Sequence, residues 1–451
     1  MNIAPQTIAP LNIAIVGAGI AGLGAALRLR DLGHQVTIFD RNTDAGGRCR
    51  SVHWQGGWRI TGAFAFISSE TNLIDQARAL GIYDTLPRVE LTETHEQTLL
   101  YKREKLIRQR SFSVTDILRN DAIPLKEKAA LGLAFPRLFA QFKRNDPRDL
   151  TTAVALDDDL ACDWFRKHSP AFVDYYLEPT MQMFCGYGPE DFSLGWLAWL
   201  MSGLEWSNGW WSFADRGVGM LTHRMELALS NDPGARLALA TDVRQVTETP
   251  DGISIASECG GVLSQHRFDK VVMAVPGTMV PILMPGLDAP RRAFFDQVSY
   301  VGHHIMNMVV KPGDFPIPSK TLLPTADGFS IISNLVFNPR ADGLWDVYAE
   351  MKGRFCADHA GASSAKILDL AWDEAIASNP KLATLDIIDR RLQRNDIAIA
   401  RRPAGYIRAL KAFTDLPPNP RIAFAGDYLL NSTVGQSHWT GLRAADQLHA
   451  G

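Results

Sequence analysis

The sequence has few cysteines, and no two of them stand at a spacing typical of a metal or redox motif. The five cysteines are scattered between Cys49 and Cys356, without a C-x-x-C pair or a Cys/His cluster. This pattern argues against a zinc site and against a disulfide framework, and it favours a reducing compartment. We therefore predict a cytoplasmic protein that holds no metal ion.

The sequence also lacks long uncharged runs and an excess of one charge. Lys and Arg total 46 and Asp and Glu total 49, so the net charge of −3 gives no indication of nucleic-acid binding. The uncharged runs at residues 192–204 and 271–287 are too short or too rich in proline to span a membrane. The first basic side chain is Arg28, so the uncharged start lacks the basic segment of a secretory signal. These absences predict a soluble protein.

The length and composition predict more than one structural unit. A chain of 451 residues, 46% of them hydrophobic, exceeds the size at which a single core is usual. The sequence shows no repeat and no disordered tail. We therefore expect two domains or a pair of interleaved units.

The most informative motif is a glycine-rich loop near the start of the chain. An apolar strand predicted at residues 11–16 leads into Gly17-Ala18-Gly19-Ile20-Ala21-Gly22, and a helix is predicted at residues 20–32. In such a loop the first glycine allows a tight turn, and the second lets a phosphate approach the main chain. The third lets helix and sheet pack closely, and the N–H groups of the helix attract the anion.

An acidic residue completes this β-α-β unit. Asp40 directly follows the second predicted strand, Gln35–Phe39. A carboxylate in this position can accept hydrogen bonds from an adenosine ribose. The glycine motif alone would be a weak signal, but strand, loop, helix, second strand and acid together predict dinucleotide binding.

The remaining chain predicts a mixture of helices and strands. Residues 72–148 have a helical pattern that Pro87, Pro124 and Pro136 are expected to interrupt, and further helices are predicted at residues 363–378 and 435–449. Runs rich in β-branched residues predict strands at residues 237–240, 243–249, 252–256, 268–276, 305–310, 331–336, 345–351 and 421–425.

Further segments, spread over most of the chain, accompany the glycine loop. Gly46-Gly47-Arg48 follows Asp40, and Phe424-Ala425-Gly426-Asp427 lies near the end of the chain. The segments at residues 217–221, 241–243, 269–276 and 441–445 belong to the same set. In this order they resemble the superfamily of flavin-containing amine oxidases, protoporphyrinogen oxidases and phytoene desaturases.

The resemblance implies an α/β fold in which a Rossmann-like FAD-binding domain is interleaved with an α+β substrate-binding domain. The FAD-binding domain is expected at residues 1–60, 212–290 and 405–451, and the substrate-binding domain at residues 61–211 and 291–404. FAD is expected to bind noncovalently, because no cysteine lies in the C-terminal motif.

The motifs and the resemblance together indicate which residues bind the cofactor. Arg48 is expected to contact phosphate oxygens, and Asp427 is expected to accept from a ribityl hydroxyl or from a phosphate-bound network. The helix that begins near Val434 is expected to contact the flavin pyrimidine edge. The full set is Gly17, Ala18, Gly19, Gly22, Asp40, Arg41, Gly47, Arg48, Gly62, Ala63, Val243, Gly426, Asp427 and Val434.

The resemblance implies less about catalysis, because two features of the amine oxidases are missing. Those enzymes present two aromatic rings and a lysine near the flavin. Tyr406 can supply one ring, the other position falls near Thr433, and no lysine follows His304 before Lys311. Tyr406, His304 and His438 are our candidate catalytic residues, and for each the alternative is a purely structural role.

Two segments indicate apolar or anionic partners. Trp196, Trp199, Trp206, Trp210 and Trp211 form either an aromatic core or a wall of a channel for an apolar substrate. Residues 101–148 contain twelve Lys/Arg and five Asp/Glu, with apolar residues at helical spacing between residues 125 and 143. That segment would suit an anionic membrane surface or an acidic carrier protein that delivers a tethered substrate, or it is an ordinary solvated face.

The leading hypothesis is an FAD-dependent oxidoreductase that removes hydride from a C–N or C–C bond of an apolar small molecule. Oxygen or another acceptor would then take the electrons. The alternatives are a simple amine oxidase, a non-enzymatic escort protein on the same fold and an NAD-dependent dehydrogenase. The retained Arg48 and Asp427 argue against the last two.

Overall fold

A parallel sheet built from distant parts of the chain organises the computed structural model, which describes residues 9–85, 88–90, 98–109, 114–204, 210–213 and 216–451. The five strands lie in the order Ala235–Ala238, Gln35–Phe39, Asn12–Val16, Lys270–Met273 and Ile422–Phe424. The central strand is apolar and buried on both faces, which is typical of a parallel sheet covered by helices. The sheet therefore joins the beginning, the middle and the end of the sequence.

The first and the last long helix of the described chain pack closely against each other. Ile20–Asp31 follows the glycine loop, and Val434–Ala450 ends the chain. A Cβ atom on Gly441 would lie 2.1 Å from the carbonyl oxygen of Ala21. Only a residue without a side chain allows the two helix backbones to approach to this distance.

A second, larger sheet carries the other half of the structure. Its seven strands lie in the order Ile387–Gln393, Ile305–Val310, Trp345–Met351, Ile332–Pro339, Lys320–Leu322, Thr98–Lys102 and Lys105–Arg108. Ile305 pairs with Glu350 on one side and with Gln393 on the other. The side chains of Glu350, Ile305 and Gln393 therefore come from three neighbouring strands at one edge of the sheet.

Smaller sheets and helices complete the described structure. The antiparallel strands Thr241–Thr249, Gly252–Cys259 and Val262–Phe268 form a three-stranded sheet beside the parallel one. The other short strands are Ser51–Trp54, Gly57–Ile60, Phe66–Ile67, Arg88–Glu90, Trp210–Phe213, Tyr300–Val301 and Ile399–Ala400. The other α-helices are Thr71–Ala79, Val114–Arg119, Leu125–Phe142, Ala161–His168, Pro170–Phe172, Glu178–Cys185, Leu194–Leu204, Gly219–Ser230, Val280–Leu283, Ala289–Phe295, Gly353–Asp358, Ser364–Ser378 and Tyr406–Thr414.

A membrane-spanning helix is defined by its length and apolar character, and a metal-ligand cluster by the grouping of its side chains. Across these ranges, no helix combines the length and the apolar character needed to cross a bilayer. The His, Cys, Asp and Glu side chains of the same residues form no cluster that could hold a metal ion. All five cysteines are free thiols.

The predicted fold class is confirmed, and most predicted elements agree with the observed ones to within a few residues. The helical pattern predicted between the breaks at Pro87 and Pro124 is wrong for residues 98–108, because Thr98–Lys102 and Lys105–Arg108 form a hairpin. Its turn residues, Arg103 and Glu104, adopt positive φ angles of 44° and 66°, although neither is of a type that signals such a turn. The helix Leu125–Phe142 continues through Pro136, where a break was predicted, and Pro87 lies outside the described residues.

Sequence analysis also missed several strands. Val262–Phe268 carries mostly exposed side chains, and Ile387–Gln393 is largely half-buried and polar. Neither strand has the apolar run or the strict alternation by which strands are recognised in sequence.

We predict that Gly441→Ala lowers the stability of the protein. The new methyl group would force the two helices apart, and overpacking of this kind costs about 1–3 kcal/mol. Thermal melting of the purified variant measures the effect. Gly132→Ala is the matched control, because this helical glycine has open space around its Cβ position and should melt at or above the wild-type temperature. Equal melting of G441A and the wild type would contradict the close packing.

Candidate functional site

One cavity of about 490 Å³ extends from the parallel sheet to the seven-stranded sheet. One part is formed by residues that follow the strands of the parallel sheet, including Gly17, Asp40, Ala274 and Gly426. Ligands of open α/β sheets bind at this carboxyl edge of the strands. The other part is lined mainly by apolar side chains: Phe64, Phe66, Ile67, Met183, Phe184, Trp196, Leu200, Ile305, Ile397 and Ile399.

The glycine loop leaves open space where a phosphate would approach. A Cβ atom on Gly22 would lie 1.9 Å from the carbonyl oxygen of Gly17, so no other residue fits at this contact between loop and helix. A Cβ atom on Gly19 would meet no atom within 4 Å, and Gly19 lines the cavity. The contact at Gly22 packs the loop against the helix. At Gly19 the main chain borders open space that a side chain would fill.

Asp40 holds the shape of this loop from the end of the second strand. Its Oδ2 accepts from the N–H of Ala18 (2.8 Å), and its Oδ1 accepts from the N–H of Asn42 (2.8 Å). Arg41 and Asn42 line the cavity beside Asp40. A carboxylate offers about four acceptor positions, so Asp40 retains capacity for a ligand hydroxyl.

The segment Gly46-Gly47-Arg48 lies directly against the glycine loop. The N–H of Gly46 donates to the carbonyl of Ala18 (2.7 Å), and a Cβ atom on Gly47 would lie 3.2 Å from the Cα of Gly19. The two glycine segments, separated in sequence by the first helix and the second strand, therefore form one wall of the cavity.

Arg48 and Asp427 form an ion pair inside the cavity. Arg48 Nη1 donates to Asp427 Oδ2 at 2.7 Å, and the carboxylate is 1% exposed. The hydroxyls of Tyr300 (2.9 Å) and Ser432 (2.8 Å) also donate to this carboxylate. Burial acts to raise the pKa of Asp427, but the charge and hydrogen bond of Arg48 outweigh it and hold the pKa below its usual value.

The C-terminal helix starts at the cavity with a second buried carboxylate at its N-terminus. Val434 begins the helix and lines the cavity, as do Thr433 and Glu70. Glu70 Oε1 accepts from the N–H of Gly435 (3.0 Å) and from the hydroxyl of Thr433. Burial raises the pKa of Glu70. Glu70 therefore occupies one of the N–H groups that sequence analysis assigned to the flavin.

Most of the predicted cofactor-binding residues lie in this one cavity. Gly17, Gly19, Asp40, Arg41, Gly47, Arg48, Gly62, Ala63, Val243, Gly426, Asp427 and Val434 line it. The other two predicted residues, Ala18 and Gly22, are not among the described residues that line the cavity. They contact the loop and its neighbouring segments on the side away from the cavity. Their roles toward the cofactor stay a prediction.

The three candidate catalytic residues do not line the cavity in the described structure. Tyr406 is 1% exposed, and its hydroxyl donates to the carbonyl of Tyr428 (2.7 Å). His304 is fully buried and accepts from the N–H of Asn395 through Nδ1 (3.2 Å). These positions favour structural roles for Tyr406 and His304, and their catalytic role stays a prediction.

His438 lies behind the cavity, against the first helix. Its Nδ1 lies 2.9 Å from Nδ2 of Asn72, and a Cβ atom on Gly24 would lie 2.5 Å from its ring. The ring is 1% exposed, and burial alone lowers the pKa of His438 to about 4. His438 therefore fills the space between two helices as a neutral ring.

Sequence analysis missed polar residues of the apolar part of the cavity. His303, Glu350, Gln393 and Asn395 line it around Ile305. The strand Ile305–Val310 is buried at every position, so alternation along the sequence could not tell which side chains face a cavity. The sequence did show two adjacent histidines, His303 and His304. The sequence analysis selected His304, whereas His303 is the one that lines the cavity.

The tryptophan-rich segment divides between cavity and core. Trp196 and Leu200 line the cavity from the helix Leu194–Leu204, and Trp196 Nε1 donates to Asn431 Oδ1 (3.4 Å). Trp199 is 3% exposed and donates to the carbonyl of Asp146 (2.8 Å) in the core. Trp206 lies outside the described residues. One tryptophan of the segment therefore forms a cavity wall, while another has a packing role.

Comparisons with known proteins agree with this geometry. Residues 20–342 match a family described as flavin containing amine oxidoreductase. A probable zeta-carotene desaturase of Synechococcus elongatus is 37% identical over 20% of this chain and 18% of its own length. The mitochondrial protoporphyrinogen oxidase of Nicotiana tabacum is 25% identical over 41% of this chain and 34% of its own length. The matched segments thus span about a third or less of these relatives.

A solved structure shows the same fold over nearly the whole chain. Wild-type putrescine oxidase bound to putrescine superimposes with a TM-score of 0.76, covering 98% of this chain and 99% of that one. The sequence identity is 17%, so the likeness concerns the fold alone.

We predict that His438 makes the protein less stable as the pH falls below neutrality. The unfolded chain binds a proton near pH 6.5, whereas the buried ring resists protonation until about pH 4. Stability due to this neutral ring is full above pH 6.5 and is lost by about 3 kcal/mol on acidification to pH 4. Melting temperatures measured across this range should fall less steeply for His438→Gln than for the wild type. The control His53→Gln, at an exposed histidine, should keep the wild-type slope. A wild-type slope in H438Q would contradict the prediction.

Proposed function

The chain belongs to the flavin containing amine oxidoreductase family, and on this basis we propose that it removes hydride from a C–N or C–C bond of an apolar small molecule. Family membership confirms the predicted superfamily, the enzyme class of flavin-dependent oxidoreductase and FAD as the cofactor. The substrate, the bond and the catalytic residues are our proposal.

The residues of the cavity fit FAD by their chemistry. The open position at Gly19 and the adjacent Gly47 leave main chain accessible to a pyrophosphate, and Arg48 adds a positive charge beside them. Asp40 and Asp427 would accept from the hydroxyls of the ribose and the ribityl chain. When bound, FAD supplies a two-electron acceptor.

Noncovalent binding is supported by the state of the cavity cysteines. Cys49 and Cys185 both line the cavity, and burial raises the pKa of each to about 12. Both are therefore protonated thiols at neutral pH, and a protonated thiol is a poor nucleophile.

The single observation that carries the proposed activity is the continuity of the cavity. The same space is lined by the dinucleotide-binding loops at one end and by Phe184, Trp196 and Leu200 at the other. Such walls exclude water and orient an apolar molecule. The substrate would lose a hydride to the cofactor and a proton to solvent, and its single C–N or C–C bond would become a double bond. Oxygen or another acceptor would receive the two electrons.

We prefer this chemistry to a simple amine oxidase with an aromatic cage. In the described structure, the position expected for one ring is Thr433, and Tyr406 is packed away from the cavity. Neither residue therefore supplies a ring for such a cage.

We also propose that residues 1–60, 212–290 and 405–451 bind the cofactor and that residues 61–211 and 291–404 bind the substrate. In support, the parallel sheet takes its strands from the first set and the seven-stranded sheet from the second.

We further propose that an apolar and basic surface near residues 114–133 contacts an anionic membrane. Apolar side chains at its centre are strongly exposed: Val114 (65%), Leu118 (62%), Leu125 (82%) and Leu133 (85%). Arg119 and Lys126 are exposed beside them, and the charge complements anionic lipid. In the helix Leu125–Phe142, which carries Leu125 and Leu133, the side chains of Leu131, Leu138 and Phe142 are buried. The exposed leucines of this helix are therefore not part of the core.

Anaerobic spectroscopy of the purified protein tests the activity. We expect a yellow protein whose FAD absorbance is bleached by one class among apolar amines, cyclic imines, polyenes and porphyrinogens. Bleaching by one class identifies the bond that is oxidised. A colourless protein that takes up no FAD, or a flavoprotein that none of these compounds reduces, would contradict the proposal.

Cosedimentation with vesicles tests the membrane contact. Vesicles rich in phosphatidylserine should bind the protein in a salt-sensitive manner, and Leu133→Glu should weaken binding about tenfold because it removes one inserted apolar side chain. Leu263→Glu, at an exposed leucine on the three-stranded sheet, is the control and should bind like the wild type. Absence of salt-sensitive binding would contradict the membrane contact and would direct attention to an acidic carrier protein.

A further inference from the structure

Glu70 lies between the cavity of about 490 Å³ (the main cavity) and a second pocket of about 400 Å³. Glu70 and Ile67 line both spaces, so these two residues form part of the partition between them. The other residues that line the second pocket are Ser69, Thr71, Asn72, Asp146, Pro147, Arg148, Gln436 and Trp439. Thr71, Asp146 and Arg148 are exposed, so the second pocket reaches the protein surface.

The carboxyl group of Glu70 is buried and accepts hydrogen bonds on both oxygens. The residue is 4% exposed. Oε1 accepts from the N–H of Gly435 (3.0 Å) and from the hydroxyl of Thr433, and Oε2 accepts from the N–H of Ile67 (3.0 Å). A Cβ atom on Gly435 would lie 2.5 Å from the Glu70 side chain, so the C-terminal helix packs directly on the carboxyl group.

The charged and the neutral form of Glu70 are each favoured by one feature of this environment. Burial raises the pKa of Glu70, and its hydrogen bonds act in the opposite direction. The neutral acid is itself a donor and needs an acceptor. Gln436 Oε1 is buried, has no hydrogen-bond partner among the described residues, and belongs to a residue that lines the second pocket with Glu70. Glu70 can therefore change its protonation state when a charge nearby changes.

The titratable groups around Glu70 do not fix its charge. Cys49 lines the main cavity with Glu70, and burial raises the pKa of this thiol to about 12, so it is neutral. His438 on the C-terminal helix is also neutral at neutral pH, because burial lowers its pKa to about 4. The charged groups of the second pocket and of the helix after Glu70 are exposed, so water screens them: Asp75, Arg78, Asp146 and Arg148.

Reduction of FAD in the main cavity would change the charge beside Glu70. Thr433 and Val434, at the start of the C-terminal helix, line the same cavity as Glu70. A hydride carries two electrons and one proton, so it leaves the flavin with one additional negative charge. Two negative charges in a buried space repel each other, and Glu70 can remove this repulsion by binding a proton.

We propose that Glu70 takes up a proton when FAD in the main cavity is reduced and gives it back when FAD is reoxidised. The proposal rests on the proposed function for the position of FAD. In the first half of the cycle the substrate loses a hydride to FAD and a proton to solvent, and Glu70 takes one proton from the second pocket. In the second half oxygen receives two electrons, the flavin proton and the Glu70 proton, which together give hydrogen peroxide.

Redox potentiometry of the FAD-loaded protein tests the proposal without a substrate. An electrode with mediator dyes supplies the electrons, and the midpoint potential is measured from about pH 5 to about pH 9, above the ordinary pKa of glutamic acid. Glu70→Gln keeps the shape of the side chain and cannot titrate. At high pH the potential of E70Q should exceed that of the wild type, because the variant lacks the negative charge that disfavours reduction.

The difference between the two potentials should narrow as the pH falls, because Glu70 is then neutral in both redox states. We expect it to narrow by at least about 30 mV, which for a two-electron couple corresponds to a tenfold higher proton affinity of Glu70 in the reduced protein. Protonation of the flavin itself is common to both proteins, so the difference isolates Glu70.

Glu374→Gln is the matched control. Glu374 is another carboxylate that accepts from main-chain N–H groups, those of Ser330, Ile331 and Ile332, and burial raises its pKa. Glu374 is not among the described residues that line the main cavity. The potential of E374Q should follow that of the wild type at every pH. FAD content and melting temperature confirm that each variant is folded.

Infrared spectroscopy of the wild type gives a measurement that does not depend on a variant. The spectrum of the reduced protein minus that of the oxidised protein should show a gained carboxylic acid band, which shifts in heavy water. Absence of this band at every pH in the range would overturn the proposal.

Two further results would overturn the proposal. One is a constant difference between the potentials of E70Q and the wild type across the pH range, and the other is the same pH-dependent difference in E374Q. Failure of the proposed activity is distinguishable, because a flavin that no tested compound reduces can still be titrated at the electrode. A protein that takes up no FAD would contradict both proposals.

Discussion

The ion pair between Arg48 and Asp427 is the contact on which the rest of the site depends. It joins residues 379 positions apart in the sequence, and the carboxylate is almost completely removed from solvent. A buried carboxylate is unfavourable without a partner. Burial of Asp427 at this position therefore requires the charge of Arg48. Tyr300 and Ser432 donate to the same carboxylate, and Arg402 donates to the Asp427 carbonyl. The pair therefore holds the segments around Arg48 and Asp427 together, and Tyr300 attaches to the same point the segment that leads into the seven-stranded sheet.

The ion pair between Arg48 and Asp427 lines a cavity to which both sheets contribute residues. The glycine loop and Asp427 reach it from the parallel sheet, while His303 and Glu350 reach it from the seven-stranded sheet. The charges are distributed unequally: Arg48 lies at the end that would hold phosphate, and Glu350 lies at the apolar end.

Sequence alone predicted the residues that line the glycine-loop end of the cavity better than those that line its apolar end. The glycine loop, Asp40 and Arg48 act through short segments whose spacing is imposed by one β-α-β unit, so their proximity can be read from the chain. His303 and Glu350 meet only because of the register between two antiparallel strands, and every residue of Ile305–Val310 is buried. Periodicity carries no information where both faces of a strand are covered. The sequence analysis named His304, which is buried and does not line the cavity, whereas its neighbour His303 lines it.

A crystal structure of the FAD-loaded protein is the most direct test of this account. We predict that FAD occupies the continuous cavity, that its pyrophosphate lies against the main chain of Gly19 and Gly47, and that the contact between Arg48 and Asp427 is retained. The opposite result would be FAD bound outside this cavity, or an Asp427 side chain that has left Arg48. Either would contradict the claim that this ion pair joins the cofactor part and the substrate part into one site.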